Sequence, residues 1–243
     1  MATRHSAYHR GARRNQQTLE EAIKQLILSS GLQPGDPVPT EAELALELNV
    51  SRNTVREALK SLEALDIVEI RHGYGTRMGQ LSLKPLADRL TFQILLGQRD
   101  GMRRVRELLE IREMFEAQSV RQVATNNITD AEIQGLERIV QRMDQHAKRH
   151  RWNEQDDRSF HKMLHRSLNN SLLIELLDTF WVVFQRVSPE LREPLDMASE
   201  ADRHRAIIKA VARQDPDLAE RALFEHFQPL HTSLQALSRE RGR

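Results

Sequence analysis

In the first third of the chain, apolar residues repeat at the spacing of an amphipathic helix. Within residues 50–65, the apolar side chains fall on one helical face and the polar side chains fall on another. The apolar face holds Val55, Leu59 and Leu62, and the polar face holds Arg52, Asn53, Arg56 and Lys60. Ser51 precedes them as a suitable helix N-cap. This pattern predicts a helix with an arginine-bearing outer face.

Two shorter helices and a hairpin are predicted around this helix. The first begins at Thr18, where Glu21 completes a capping box. The second covers residues 41–48, with Thr40 and Glu43 as its capping box. Downstream, the segments IVEIR and TRM flank the glycine-containing turn HGYG, which predicts a β-hairpin. Helix, turn, helix and hairpin is the order of a winged helix-turn-helix, whose recognition helix enters the major groove of DNA.

The apolar pattern of the remaining chain predicts helices and no convincing strand. The expected helices cover residues 85–97, 102–125, 130–150, 153–168, 171–187, 199–214 and 217–238. Capping boxes at Thr129 and Ser199 support two of these helices, and Asn153 is a suitable cap for a third. Residues 172–187 are apolar on nearly all sides, which is typical of the central helix of a bundle.

The expected fold is therefore mainly α, with a winged helix-turn-helix unit followed by an all-α helical bundle. We expect a basic, disordered tail over residues 1–16, the winged unit over 17–78, a linker over 79–86 and the bundle over 87–238. The length of 243 residues is enough for two such units.

Composition and charge restrict the partners and the cellular location that the sequence predicts. The net charge is only +1, so a DNA partner is indicated by where the arginines lie, on the helix after Ser51 and at Arg71 and Arg77 of the hairpin. A nearly neutral unit binds DNA weakly alone, which favours a dimer. The sequence has no cysteine, which excludes disulfides and thiolate metal sites. It also has no apolar run of about 18 residues and no secretory signal, so we expect a cytoplasmic protein without a membrane partner.

The residues expected to read DNA lie on the outer face of the helix after Ser51 and at the hairpin tip. Arg52 and Arg56 are one helical turn apart, and an arginine fork can bind guanine O6 and N7 with about 1–3 kcal/mol of discrimination. The alternative is that they are ordinary solvated charges on a surface helix. Glu41 and Glu57 are expected to brace the helices instead. The predicted contacts are Arg52, Asn53, Thr54, Arg56, His72 and Gly73.

Four residues of the helical part have the types and the spacing of a metal site. Asp157 and His161 are four residues apart and therefore project from one face of a helix. His204 and His226 lie on two later predicted helices, which a bundle can bring to the same interior. Imidazole and carboxylate ligands suit Zn, Ni, Mn, Fe or Co. His165 is the competing ligand, and the alternative is that these histidines bind no metal.

The N-terminal third closely resembles the winged helix-turn-helix of the GntR family of bacterial transcription regulators. The matching stretches are GLQPGDPVPTEAEL, NVSRNTVREALKSLEAL and HGYGT. The helical remainder looks like the FadR-type subgroup, whose C-terminal FCD domain is a helical bundle. The resemblance implies a homodimeric repressor or activator, in which each winged unit reads half of a palindromic operator and a small metabolite in the bundle changes DNA affinity. One position departs from the family, because Ala42 stands where an arginine often contacts DNA.

The resemblance also implies a divalent metal ion, for which Zn, Ni or Mn is expected. FCD domains hold it with an Asp-x-x-x-His pair and two later histidines. The matching residues here are Asp157, His161, His204 and His226. Arg112 matches an arginine that lines the effector pocket of the family, where its guanidinium would bind a carboxylate through two hydrogen bonds. The alternative for Arg112 is an ion pair with Glu116, four residues on.

The expected function is a DNA-binding regulator that responds to a small organic acid, and not an enzyme. The sequence has no H-E-x-x-H motif and no nucleophile elbow. A metalloenzyme with an accessory winged unit is one alternative. Another is a metal-independent, FadR-like regulator that binds a larger acyl ligand, which the set of one aspartate and three histidines disfavours.

Overall fold

The chain forms two compact units in a computed structural model. The described residues are 17–97, 101–126, 128–151, 153–187 and 197–241, so the predicted tail over 1–16 lies outside them. The first unit ends at Pro85 and the second begins at Leu86. Among the described residues, no helix combines the length and the apolarity that a membrane crossing requires.

Among residues 17–78, three helices and a hairpin follow one another in the order that the sequence predicts. They are α1 (17–29), α2 (Glu41–Glu47), α3 (Arg52–Glu63), β1 (Val68–Arg71) and β2 (Gly75–Met78). The capping box of Thr40 and Glu43 is confirmed. Ser51 caps α3 by accepting a hydrogen bond from Thr54 N. The predicted cap at Thr18 is wrong, because α1 already includes residue 17 and Thr18 therefore has a helical position.

The apolar faces of these helices meet beneath the hairpin. Ile23 of α1, Leu44 of α2 and Leu59 of α3 are buried, and Val68 and Met78 of the hairpin close the same core. The two strands are antiparallel, with Val68 opposite Met78. Because apolar contacts fix the inner face of α3, its arginine-bearing face stays outside.

Helices alone make up the described part of the C-terminal unit. They are α4 (Lys84–Leu96), α5 (Gly101–Thr125), α6 (Asp130–Ala147), α7 (Glu154–Arg166), α8 (Ser171–Val187), α9 (Met197–Ala212) and α10 (Pro216–Arg241). Helix α4 begins before the division between the units, inside the segment predicted to be a linker.

Helix α5 lies at the centre of the C-terminal unit, in contact with α7, α8, α9 and α10. The prediction that residues 172–187 form the central helix is wrong. That segment is α8, which packs against α5 and α7 and leaves Leu172 58% exposed. An apolar sequence does not distinguish a helix enclosed by its own chain from a helix that keeps an apolar outer face.

Most of the predicted helix caps of this unit are present. Thr129 and Glu132 form the capping box of α6, and Asn153 caps α7. The predicted cap at Ser199 is wrong, since α9 begins at Met197 and Ser199 lies within its first turn.

We expect Thr129→Ala to lower the free energy of unfolding of the C-terminal unit by about 1 kcal/mol. The substitution removes the oxygen that accepts from Glu132 N and that also bonds the Glu132 carboxylate. Chemical denaturation followed by circular dichroism measures the change. Thr129→Ser keeps the hydroxyl and should stay close to the parent, and equal losses in both variants would contradict the capping role.

Candidate functional site

Three helices of the C-terminal unit bring the predicted metal ligands together. Asp157 and His161 lie on α7, His204 lies on α9 and His226 lies on α10. One nitrogen or oxygen atom of each residue lies within 4.8 Å of those of the other three. The histidines are buried and Asp157 is partly buried. These four residues are called the tetrad below.

Apolar packing turns the tetrad toward the interior of the unit. On α7, Phe160 is fully buried, and its ring lies edge-on to that of His204 with centroids 4.5 Å apart. The Phe227 centroid lies 5.1 Å from that of His226. Aromatic rings therefore surround the imidazoles, and the low local polarity strengthens electrostatic contacts among them.

Each tetrad histidine has an acceptor beside its Nδ1 atom. His161 Nδ1 lies 2.5 Å from Glu116 Oε2. His204 Nδ1 lies 2.8 Å from the carbonyl oxygen of Glu200. His226 Nδ1 lies 3.1 Å from Glu200 Oε1, an ion-pair distance without the angle of a hydrogen bond. A neutral imidazole that donates from Nδ1 keeps its lone pair on Nε2, which is the state that a metal ligand requires.

The spacing of the converging atoms fits a single divalent cation. His161 Nε2 lies 3.2 Å from His226 Nε2. His204 Nε2 lies 3.3 Å from Asp157 Oδ1. Two atoms that each lie about 2.1 Å from one ion are about 3 to 3.5 Å apart. His204 Nε2 is also buried without a hydrogen bond to any described residue, so the residues present fit a divalent metal.

The charges of the region favour a cation. Burial by itself would raise the pKa of Asp157, but the contact with His161 holds that pKa well below its usual range. Burial likewise opposes ionisation of Glu200, but the charge of His226 lowers its pKa to about 2. For His161, burial would lower the pKa, yet the charge of Glu116 raises it to about 9. A metal ion bound at His161 Nε2 would therefore displace a proton from this ring at neutral pH. The carboxylates are therefore ionised at neutral pH.

His165, the competing ligand, lies in a second group with Glu116 and His161. Its Nδ1 lies 3.1 Å from Ser119 Oγ and its Nε2 lies 3.2 Å from Glu116 Oε2. The 2.5 Å between His161 Nδ1 and Glu116 Oε2 is a hydrogen-bond distance, and it is shorter than the separation of about 3 Å between two ligands of one ion. This second group is therefore a hydrogen-bonded support for the tetrad.

Arg112 lies beside the tetrad, on α5. It is 6% exposed, and its Nε donates to Glu116 Oε1 over 2.6 Å, so the ion pair considered as the alternative is present. Its guanidinium carbon lies 5.1 Å from the centre of the Phe227 ring. Among the described residues, the bond from Nε to Glu116 is the one hydrogen bond that Arg112 makes. The N–H groups of Nη1 and Nη2 are therefore left for another acceptor.

All six residues predicted to read DNA are exposed on the N-terminal unit. At the start of α3, Ser51 Oγ and Thr54 Oγ1 lie 2.7 Å apart. One turn on, Arg56 donates from Nε and Nη2 to the two carboxylate oxygens of Glu41 over 2.9 and 2.7 Å. Glu41 therefore braces α2 against α3, as predicted, and fixes the direction of the Arg56 side chain.

His72 and Gly73 lie in the turn between β1 and β2, at the tip of the hairpin. Gly73 has a φ of +81°, and apart from its two chain neighbours no described residue has an atom within 4 Å of the place where a side chain would begin. Tyr74 beside them is 83% exposed, and the sequence pattern did not single it out. Arg77, one of the hairpin arginines, donates to Gly35 O over 2.9 Å and so anchors the hairpin to the loop before α2.

Two family models match the chain, one for each unit. The model described as bacterial regulatory proteins, gntR family, matches residues 15–78. The model described as FCD domain matches residues 107–229. The two matches confirm the resemblance and the fold class that the sequence predicts.

Similar proteins extend over most of the chain. The HTH-type transcriptional repressor NanR of Cronobacter sakazakii is 30% identical over 236 residues, which cover 92% of this chain and 86% of that protein. The HTH-type transcriptional regulator LutR of Bacillus subtilis is 28% identical over 207 residues, 83% of this chain and 92% of that protein. A solved structure of a GntR protein from Streptococcus agalactiae, 28% identical, covers 90% of this chain and 99% of its own with a TM-score of 0.64. The chain therefore belongs to the gntR family of bacterial regulatory proteins, and its C-terminal unit contains an FCD domain.

Proposed function

We propose that this protein is a cytoplasmic transcriptional repressor that binds a palindromic DNA operator as a homodimer and responds to a small organic acid held at a metal site. The observation that carries the proposal is the buried convergence of the tetrad next to Arg112, in a chain whose other unit presents exposed arginines on a recognition helix. The name repressor belongs to a relative, and its extension to this chain is part of the proposal.

A divalent ion, with Zn, Ni or Mn as the first choices, would be held by the tetrad. When bound, it would supply a position for an oxygen of the effector carboxylate. Arg112 would bind the same carboxylate through its Nη1 and Nη2 atoms, because its Nε is already engaged by Glu116. The effector alters DNA affinity only if it binds the DNA-competent and DNA-free forms unequally.

The DNA interface would use the exposed end of α3 and the tip of the hairpin. Arg52, Asn53, Thr54 and Arg56 lie along one exposed surface, and His72 with Gly73 forms the tip. The outer face of α3 enters the major groove in this arrangement, whereas the tip with its small glycine reaches the minor groove.

Exposed apolar residues on α4 and α5 support the homodimer. Phe92 and Leu96 of α4 are 65% and 69% exposed, and Met114 of α5 is 72% exposed. Apolar side chains spaced at one helical turn on an exposed face are a common protein contact surface. A second copy of the chain is the occupant proposed here, since a palindromic operator requires a two-fold pair of winged units.

Met114→Glu is expected to weaken dimerisation, because it places a charge in the proposed apolar interface. Light scattering over a range of protein concentrations measures the mass. Leu46→Glu, on a residue of α2 that is 86% exposed, is the control and should leave the dimer intact. A parent protein that is monomeric at every concentration would contradict the proposed assembly.

The metal-free parent should bind a single Zn²⁺ ion per chain and gain about 2.7 kcal/mol of stability at a hundredfold excess over the dissociation constant. His226→Ala should lose both effects, because it removes one tetrad nitrogen. Titration calorimetry and thermal unfolding measure them. His231→Ala is the matched control, since His231 lies on the same helix but pairs with Glu113.

Equal loss in both histidine variants, or a parent that binds no metal, would contradict the metal site. If organic acids stabilise the metal-free parent, the metal-independent alternative is favoured. If the metal-loaded protein consumes the acid, the metalloenzyme alternative is favoured.

Arg52→Ala is expected to weaken binding to an operator selected with the parent protein by about 5- to 150-fold, which corresponds to about 1–3 kcal/mol. The loss should fall on a particular guanine position, whereas non-specific binding changes little. Fluorescence anisotropy with operator and scrambled DNA measures both. Arg103→Ala, in the C-terminal unit, is the control, and an Arg52→Ala protein with parental specificity would rule out the predicted contact.

A further inference from the structure

One buried carboxylate lies between Arg112 and the tetrad. Glu116, in the middle of α5, has no exposed surface. Its Oε1 accepts from Arg112 Nε over 2.6 Å. Its Oε2 lies 2.5 Å from His161 Nδ1 and 3.2 Å from His165 Nε2. Three groups from two helices therefore converge on two oxygen atoms.

The charge of Glu116 is retained in the interior by these partners. A buried carboxylate without partners is strongly unfavourable, and removal of one partner of a buried pair is usually destabilising. Here Arg112, His161 and His165 supply the partners, over 2.6, 2.5 and 3.2 Å. The carboxylate in turn fixes the orientation of these three groups.

The two oxygens of Glu116 serve two different parts of the proposed site. Through Oε2, the carboxylate fixes the His161 ring so that its Nε2 points to the tetrad, 3.2 Å from His226 Nε2. Through Oε1, it fixes the Nε side of Arg112 and leaves the outer N–H groups unused by described residues. The Arg112 guanidinium also lies over the Phe227 ring, which stands next to the His226 ring.

We propose that Glu116 is a positioning residue that links the metal site to Arg112, so that occupation of either one changes the affinity of the other. The inference rests on the proposed function, because it assumes metal in the tetrad and a carboxylate at Arg112. A carboxylate bound by Arg112 takes up part of the guanidinium charge that Glu116 otherwise neutralises. Glu116 then acts more strongly on His161, which raises the basicity of its Nε2 and strengthens its donation to the metal. By linkage, the metal strengthens binding of the carboxylate by the same factor.

The proposal gives opposite effects for two substitutions. Glu116→Gln removes the charge behind His161 and should weaken binding of Zn²⁺ about 10- to 100-fold. Arg112→Gln removes the guanidinium that partly neutralises Glu116 and should tighten binding of Zn²⁺ about fivefold or more. In the Glu116→Gln background, Arg112→Gln should have a smaller effect on Zn²⁺ affinity, because the carboxylate that links residue 112 to His161 is absent. A purely structural role of both residues predicts losses of the same sign.

The experiment measures affinity for Zn²⁺ alone by competition with a chromophoric chelator, in the full chain and its variants. The absorption spectrum of the Co²⁺-loaded proteins reports ligand geometry separately and should shift in Glu116→Gln. Glu113→Gln is the matched control, because Glu113 lies on the same helix and holds His231, which is outside the tetrad, over 2.9 Å. It should leave affinity and spectrum unchanged.

Parental affinity in Glu116→Gln, or equal losses in Glu116→Gln and Glu113→Gln, would overturn the inference while leaving the metal site standing. A parent that binds no Zn²⁺ would overturn the proposed function as well. If Glu116→Gln does not fold, the single Arg112→Gln variant still decides, because weaker or unchanged binding of Zn²⁺ contradicts the proposed link.

Discussion

The need to neutralise buried charge organises the C-terminal unit. Its interior holds imidazoles and carboxylates side by side, and none of them is tolerated there without a partner. The structure meets this need by giving the Nδ1 atom of each tetrad histidine an oxygen from Glu116 or Glu200. The Nε2 atoms of the three histidines and one oxygen of Asp157 then face one another. A divalent cation between these atoms would neutralise the remaining negative charge of the carboxylates.

The same requirement relates the helices to one another. Glu116 belongs to α5, the helix that contacts most of the others, and Glu200 belongs to α9. Because these carboxylates contact tetrad histidines on α7 and α10, a metal ion or effector bound there would act on the contacts between α5 and its neighbours. A ligand can therefore alter helix packing without a large pocket, provided that it binds one packing better than the other.

In the N-terminal unit a similar pair serves a different purpose. The two-point contact between Glu41 and Arg56 joins α2 to α3 at the exposed surface. Exposed ion pairs contribute little to stability, so the main consequence of this pair is the direction in which the arginine points. Arg52 and the hairpin tip are exposed on the same unit as Arg56, and the apolar core of that unit holds α3 and the hairpin together.

Much of this architecture could be predicted from the sequence, because helical periodicity and capping residues act locally. The limits of α8 and the capping box at Thr129 follow from a few neighbouring residues. The tetrad could be found because Asp157 and His161 share a helical face and the family pattern supplies the other two ligands. The four-residue spacing predicts Glu116 as an ion-pair partner of Arg112. Its contacts with His161 and His165 span more than forty positions, so no local pattern predicts them. The central position of α5 also depends on contacts between residues that are distant in sequence, whereas the local apolarity of the sequence predicts that position for α8.

Metal binding by the tetrad can be tested with a crystal structure for which anomalous diffraction is recorded on both sides of the zinc absorption edge. We expect one anomalous peak about 2.0 to 2.2 Å from the Nε2 atoms of His161, His204 and His226 and from a carboxylate oxygen of Asp157. The hydrogen bonds from His161 Nδ1 to Glu116 and from His204 Nδ1 to the Glu200 carbonyl would be retained. A peak between Glu116 and His165, or no peak in zinc-soaked crystals, would contradict it.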